Sequence, residues 1–322
     1  MASSSTHHEP DGSGDAPRPV DGTKDGSGKG RDRRQLVGIG ALLVIGVLVL
    51  VFACIRLFGP DGPGGRAGGG QGQTQQQTGA RDARTRVAAV KDAPKRADGE
   101  GGFVFSRNGE GGPVEGRPTV AVYLDFMCPG CGELDRALAP SLETMARAGQ
   151  INLEIHPNGF LDPLSTDAYS TRAAAAWAYV AEHDPDHALA YMQALYDPAF
   201  QPQEGSAYRP VSDGALAARA ESAGVPHDTA QAAVKGEYRA WIKALAAYTP
   251  LRPSLQHPDG KYKGEMTTPT VTVNGRYWSF DRVADDSALP AALARAIGLD
   301  PGSVGDPAAV PSLKPGQGPI VP

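Results

Sequence analysis

Phe126-Met127-Cys128-Pro129-Gly130-Cys131 is the stretch on which the reading of this 322-residue chain turns. It follows an apolar run, Thr119-Val-Ala-Val-Tyr-Leu124, and opens a segment with apolar residues at helical spacing, Leu134, Leu138, Leu142 and Met145. A strand that feeds a helix in this way places both cysteines in the helix's first turn. There the unpaired backbone N–H groups and the positive end of the helix dipole favour a thiolate. Cys128, at the very start, receives most of that help and is expected where solvent reaches it. Cys131, one turn deeper, is placed to attack a sulfur bonded to Cys128. This is the geometry of a redox-active dithiol. Two plainer readings stay open at this point. A structural disulfide uses the same residues, although such bridges usually close longer loops. Half of a zinc site would need two more ligands; His183 and His187 have suitable types, but lie too far away in sequence and enclose Pro185.

Composition narrows the field. Gly 41 and Pro 28 concentrate outside the periodic segments, and a net charge of -5 without a basic stripe speaks against nucleic acid. Three cysteines are too few for a disulfide-stapled scaffold.

Residues 1–35 are rich in Ser, Gly, Asp and Pro and are expected to be a disordered tail. Lys24, Lys29, Arg31, Arg33 and Arg34 then precede an uncharged apolar run from Leu36 to Ile55, continued to Phe58. About 20 apolar residues span a hydrocarbon core of roughly 30 Å. The preceding cations keep the N-terminus cytoplasmic, so residues 36–58 read as one transmembrane helix with the rest of the chain outside. The alternative is a cleaved leader with a lipid on Cys54, since Val51-Phe-Ala-Cys54 loosely resembles such a site. Residues 59–100 read as a flexible linker, whose roughly 40 residues would span about 35 Å.

Order is expected from Phe103. Ile151-Asn-Leu-Glu-Ile155 alternates as a strand with one face buried, closing a β-α-β unit with the dithiol where strand meets helix. Pro140 predicts a kink in that helix and Gly149 its end. Between about 164 and 250 only helical signals occur: an Ala-rich run started by Asp167, a second started by Asp184-Pro185, a third capped by Ser212, and a fourth carrying Tyr238, Trp241, Ile242 and Leu245. His183, His187 and His227 fall near the ends of these runs and are expected to be solvated. Strand signal returns at Thr268-Pro-Thr-Val-Thr-Val273, turns at Asn274-Gly275 and continues to Phe280. A last helix, Ser287 to Ile297, stops at Gly298, and residues 301–322 read as a frayed tail.

Strand, Cys-x-x-Cys, helix, strand, then a distant Thr268-Pro269 opening a hairpin and a closing helix resembles the thioredoxin fold. The helical insertion together with Phe126-Met-Cys-Pro-Gly-Cys131 resembles its DsbA-like branch, in the membrane-anchored bacterial form, over roughly residues 101–300. The resemblance implies an α/β thioredoxin-like domain with an inserted helical bundle, preceded by one transmembrane helix. It implies a thiol–disulfide oxidoreductase acting outside the cell membrane, with Cys128 and Cys131 catalytic and Pro129 and Gly130 tuning their redox poise. Pro269 would be a cis-proline facing the dithiol, and Thr268, Pro269, Phe126 and Met127 would contact substrate. Partners would be exported protein thiols and a membrane reoxidant; no metal, nucleotide or flavin is required. A reductase or isomerase, for example in cytochrome maturation, and a non-catalytic binding module with a structural bridge are the alternatives.

Two departures from the family pattern stand out. Where many DsbA-like proteins have His before the second cysteine, this chain has Gly130. Six residues before the first cysteine, where a buried acid often sits, it has Val122. Asp125 is the substitute candidate for proton traffic, though a carboxylate there is expected to be solvated.

Overall fold

The structure, a computed structural model, describes residues 69–320. The apolar run 36–58 and the tail 1–35 lie outside the described residues.

The centre is a six-stranded sheet in the order β2-β1-β4-β3-β5-β6, built from β1 Phe103–Ser106, β2 Gly109–Glu110, β3 Thr119–Asp125, β4 Asn152–Asn158, β5 Thr270–Val273 and β6 Arg276–Tyr277. β3 and β4 run parallel, with Val122 opposite Ile155; β5 lies antiparallel on the other side of β3, with Val122 opposite Val271. Both central strands are buried on both faces. The expected one-sided strand at 151–155 is therefore corrected: a parallel strand inside the sheet is covered by helices above and below.

The helix after the dithiol, Pro129–Arg147, runs unbroken through Pro140, which stands on its exposed side. It ends at Gly149, whose φ of +70° lets Gly149 N–H reach Ala146 O and Gln150 N–H reach Met145 O. That pair of bonds is a Schellman motif, the reason for glycine there. The β5–β6 hairpin turns on Asn274 and Gly275, with φ of 51° and 74°, as a two-residue turn of this hand demands. The closing helix, Leu289–Ala296, is shorter at its start than expected because a 3-10 turn, Asp286–Ala288, precedes it.

The insertion holds five helices: Tyr169–His183, Pro185–Leu195, Asp213–Ser222, His227–Ala233 and Arg239–Tyr248. Ser212 caps the third as expected, its Oγ accepting from Ala215 N–H. The first begins two residues after Asp167, whose carboxylate takes Arg172 and the Tyr208 hydroxyl instead. The helix at 227–233 has no counterpart in the sequence reading; seven residues with three alanines carry too little periodicity. Phe103 of β1 meets Trp177 and Trp241 edge-on, fastening the insertion to the sheet. Two of the histidines expected to be solvated are paired, His187 with Asp184 and His227 with Glu221, each at 2.9 Å.

We number the helices in chain order: α1 Gly69–Ala88, α2 Pro129–Arg147, α3 to α7 the five above, α8 Leu289–Ala296. α1 lies within the expected linker and packs on α7, burying Ala83 and Val87. Further along, Arg96 N–H donates to the Glu182 carboxylate. The expected C-terminal tail is likewise tied down. Gln150 Nε2 donates to Ser303 O and Asp306 O, Leu313 is buried, and Leu313 N–H donates to Ile297 O. β3, α2 and β4, then β5, β6 and α8, with the helices between, form a thioredoxin-like α/β fold with a helical insertion.

Candidate active site

Cys128 is the N-cap of α2, its backbone extended at φ -64° and ψ 117°, and Pro129 occupies the first helical position, where a missing N–H costs nothing. Both cysteines are free thiols. The expected openness of Cys128 is corrected: it is 6% exposed, against 2% for Cys131. Its Sγ makes no capping bond to the helix but points across the site, donating to Thr268 O at 3.3 Å. The Thr268–Pro269 peptide is cis, and both residues are half-buried. Pro129 is exposed and Gly130 half-buried; a Cβ on Gly130 would stand 3.4 Å from Pro269 Cδ and 4.0 Å from Cys128 Sγ. Cys128, Gly130, Thr268 and Pro269 thus share one spot on the surface.

Phe126 and Met127 do not join them. Both are fully buried, and Phe126 packs on Tyr196 and Trp177, with ring centroids 5.3 Å and 6.3 Å away. Their place as substrate contacts is corrected: they anchor the loop from below.

Cys131 lies beneath Cys128, its Sγ accepting Asp125 N–H at 3.5 Å. Burial first, then the neighbouring Cys128 sulfur, pushes its thiol well above the ordinary range. The expectation of a solvated Asp125 is overturned, because the residue is 0% exposed. Its Oδ1 accepts from Met127 N–H at 2.9 Å and Ser170 Oγ at 2.7 Å, its Oδ2 from Leu161 N–H at 2.9 Å. Burial nevertheless outweighs these bonds and lifts the carboxyl to about 6. Its own carbonyl takes Cys128 N–H and the Tyr196 hydroxyl. Asp125 therefore ties the dithiol loop to α3, to the loop after β4 and to the end of α4.

The sequence reading missed two further acids. Asp135, one turn after Cys131 on α2, shares a cleft with Cys131, Val122, Leu124, Tyr196 and Pro269. Burial and Glu143 raise it to about 7. An acid thus reaches this cleft from the helix, although the strand offers only Val122. The spacing Cys131-x-x-x-Asp135 was the available signal, since residues four apart share a helix face. Glu204, half-buried with both carboxylate oxygens enclosed and unpaired, is lifted to about 7 by burial and by Asp125; nothing in its sequence neighbourhood marks it. Among the described residues no cluster of three or more His, Cys, Asp or Glu could hold a metal.

The chain is structurally similar to DsbA and MdbA proteins across much of its length. Reduced DsbA from Mycobacterium tuberculosis is 26% identical, covering 55% of this chain and 88% of its own, with a TM-score of 0.43. MdbA from Actinomyces oris, a thiol–disulfide oxidoreductase, is 19% identical over 63% of this chain and 89% of its own, with a TM-score of 0.47. No family model matches the sequence. Over 91 residues the chain is 34% identical to the serine/threonine-protein kinase PknE of Mycobacterium tuberculosis, which is 28% of this chain and 16% of the kinase's length.

Proposed function

We propose that the protein is a membrane-tethered thiol–disulfide oxidoreductase that introduces disulfides into exported proteins. The observation that carries this reading is the contact of Cys128 Sγ with Thr268 O at 3.3 Å. It sets the sulfur beside half-buried backbone that an extended substrate could pair with. In the disulfide form, a substrate thiolate attacks Cys128 Sγ and Cys131 leaves as thiolate, giving a mixed disulfide. A second substrate thiolate then attacks the substrate sulfur of that bond, and Cys128 leaves. Two electrons pass from substrate to protein, one S–S bond breaking as another forms. The protein is then reoxidised by a membrane partner. Pro129 and Gly130 set the poise, and Thr268 and Pro269 meet the substrate.

The tether is residues 36–58, supported by their apolar length and the cations before them. Spheroplasts divided into two portions test both halves of the reading. In the first, acid-trapped thiols counted by a maleimide gel shift should show Cys128 and Cys131 oxidised at rest. In the second, added protease should digest the folded domain. A resting dithiol favours the reductase or isomerase instead; full protection from protease overturns the outward placement.

Gly130 gives a graded test of the poise. A histidine beside the pair favours negative charge on the sulfur, and so the reduced form, while glycine offers only backbone. The Gly130 Cβ position, 4.0 Å from Cys128 Sγ, puts an imidazole within reach. The wild-type potential is expected between about -120 mV and about -270 mV, the values for DsbA and thioredoxin. Gly130→His should raise it by about 30 mV, a tenfold change in equilibrium with glutathione. A fall, or no change, would show that charge stabilisation at this position does not set the poise.

A further inference from the structure

Besides its contacts with Asp125 and Phe126, the helical insertion reaches the carbonyl of Cys128 itself through Gln201. Gln201 follows the turn that ends α4, and its Nε2 donates to Cys128 O at 2.9 Å and to Phe126 O at 3.2 Å. The Cys128 carbonyl also receives the N–H groups of Cys131 and Gly132, at 3.1 Å and 3.2 Å. A single amide therefore bridges the carbonyls on either side of Met127 and fixes the backbone that enters α2. Gln201 is itself rigidly held. Its N–H and that of Phe200 both donate to Asp197 O at 2.8 Å. Asp197 Oδ2 accepts from Arg219 of α5, whose guanidinium lies 4.4 Å from the Phe200 ring centroid.

Gly132 completes the arrangement. It is buried in the first turns of α2, and a Cβ there would stand 2.5 Å from Gln201 Oε1 and 3.0 Å from Arg136 Nη1. Glycine inside a helix is less favourable than alanine. No positive φ calls for it at this position. What it provides is room for the Gln201 amide.

We propose that Gln201, seated against Gly132, is a positioning residue that sets the equilibrium between the Cys128–Cys131 disulfide and the dithiol. The inference rests on the reading of these cysteines as a redox pair. Nε2 is the positive end of the amide dipole, and its bonds hold the first-turn N–H groups of α2 in place. Both effects favour a sulfur that carries negative charge, and so the reduced form. With glutathione the reaction is protein disulfide plus two thiols giving protein dithiol plus glutathione disulfide. One S–S bond breaks and one forms, and two electrons and two protons pass to the protein.

Equilibration of the purified full chain with glutathione buffers tests this. Gln201→Ala should shift the equilibrium about tenfold toward the disulfide, equivalent to about 30 mV. Gln201→Glu, which keeps the size but lacks the donor, should shift it at least as far. Gly132→Ala should move it in the same direction although alanine is the better helix former, because the amide is displaced. The double variant Gly132→Ala/Gln201→Ala should go no further than either single one, since both remove one interaction. Equal loss of thermal stability in the oxidised and reduced forms, with the equilibrium unmoved, would reduce Gln201 to a packing residue and overturn the proposal. Additive shifts would break its link to Gly132. A wild-type protein that never exchanges with glutathione would instead remove the redox pair itself, and this inference with it.

Discussion

Cys131→Ser will accumulate mixed disulfides with exported proteins, and Cys128→Ser will accumulate at least about tenfold fewer. Exposure alone would not predict so large a difference, since 6% and 2% are nearly alike. What separates the two sulfurs is where each one points. Cys128 Sγ lies against Thr268 O, beside half-buried backbone at the surface. Cys131 Sγ faces inward to Asp125 N–H, and burial pushes its thiol far up, so at neutral pH it stays protonated. The thiolate is the nucleophile. In Cys131→Ser, the Cys128 thiolate attacks a substrate disulfide, one half stays bonded to Cys128 and the other leaves as thiolate. No second thiol is then present to release it. In Cys128→Ser the remaining thiol is both buried and protonated. Non-reducing gels of cell envelopes, probed for the protein, read both outcomes. Equal ladders from the two variants would sink the division of roles.

The parts of this molecule legible in the sequence are those that repeat a period or need a special residue. β3 and α2 announce themselves by apolar spacing, the hairpin by Asn274-Gly275, the ends of α2 and α8 by Gly149 and Gly298. The pairing of Cys128 with the distant Thr268-Pro269 came from the resemblance; no local signal links residues 140 apart in sequence. What stayed hidden is held by single contacts. α1 has glycine and glutamine where a core helix has leucine, and among its residues from Gln77 on it buries Ala83 and Val87. The last 20 described residues follow no period and hang on Gln150, Asn274 and backbone bonds to the end of α8. Phe126 and Met127 look like a surface motif because they adjoin the cysteines; only the aromatic cluster beneath them shows that they are core. Asp125 misleads for the same reason, since a carboxylate at a strand end is ordinarily solvated.

Asp125 also gives the strongest expected effect on stability. Its carboxylate is 0% exposed and serves Met127 N–H, Leu161 N–H and Ser170 Oγ. Asp125→Ala leaves three buried donors without an acceptor, at about 1–3 kcal/mol each. The sum is comparable with the whole stability of a domain, about 5–15 kcal/mol. Asp125→Asn is the sharper test, because it separates charge from hydrogen bonding. The wild-type carboxyl has its ordinary 3.8 when unfolded and about 6 when folded. Below 3.8 both states are protonated and the contribution is fully present. Between the two values the unfolded chain has released a proton that the folded one retains, so stability falls as pH rises. Above about 6 the loss is complete, roughly 3 kcal/mol in all. Asparagine has no such slope, but its amide NH2 must face one of the three donors, at about 1–3 kcal/mol. Asp125→Asn should therefore be clearly less stable than wild type near pH 4, and the gap should close by pH 7.5. Asp135, also raised, tilts both proteins alike and cancels in the difference; Glu204, lifted in part by Asp125, is tilted less in Asp125→Asn and so closes the gap in the same direction. Urea unfolding of the two disulfide forms at pH 4 and 7.5 measures it. A gap of constant size across that range would mean that Asp125 stays ionised throughout, and that its three donors outweigh its burial.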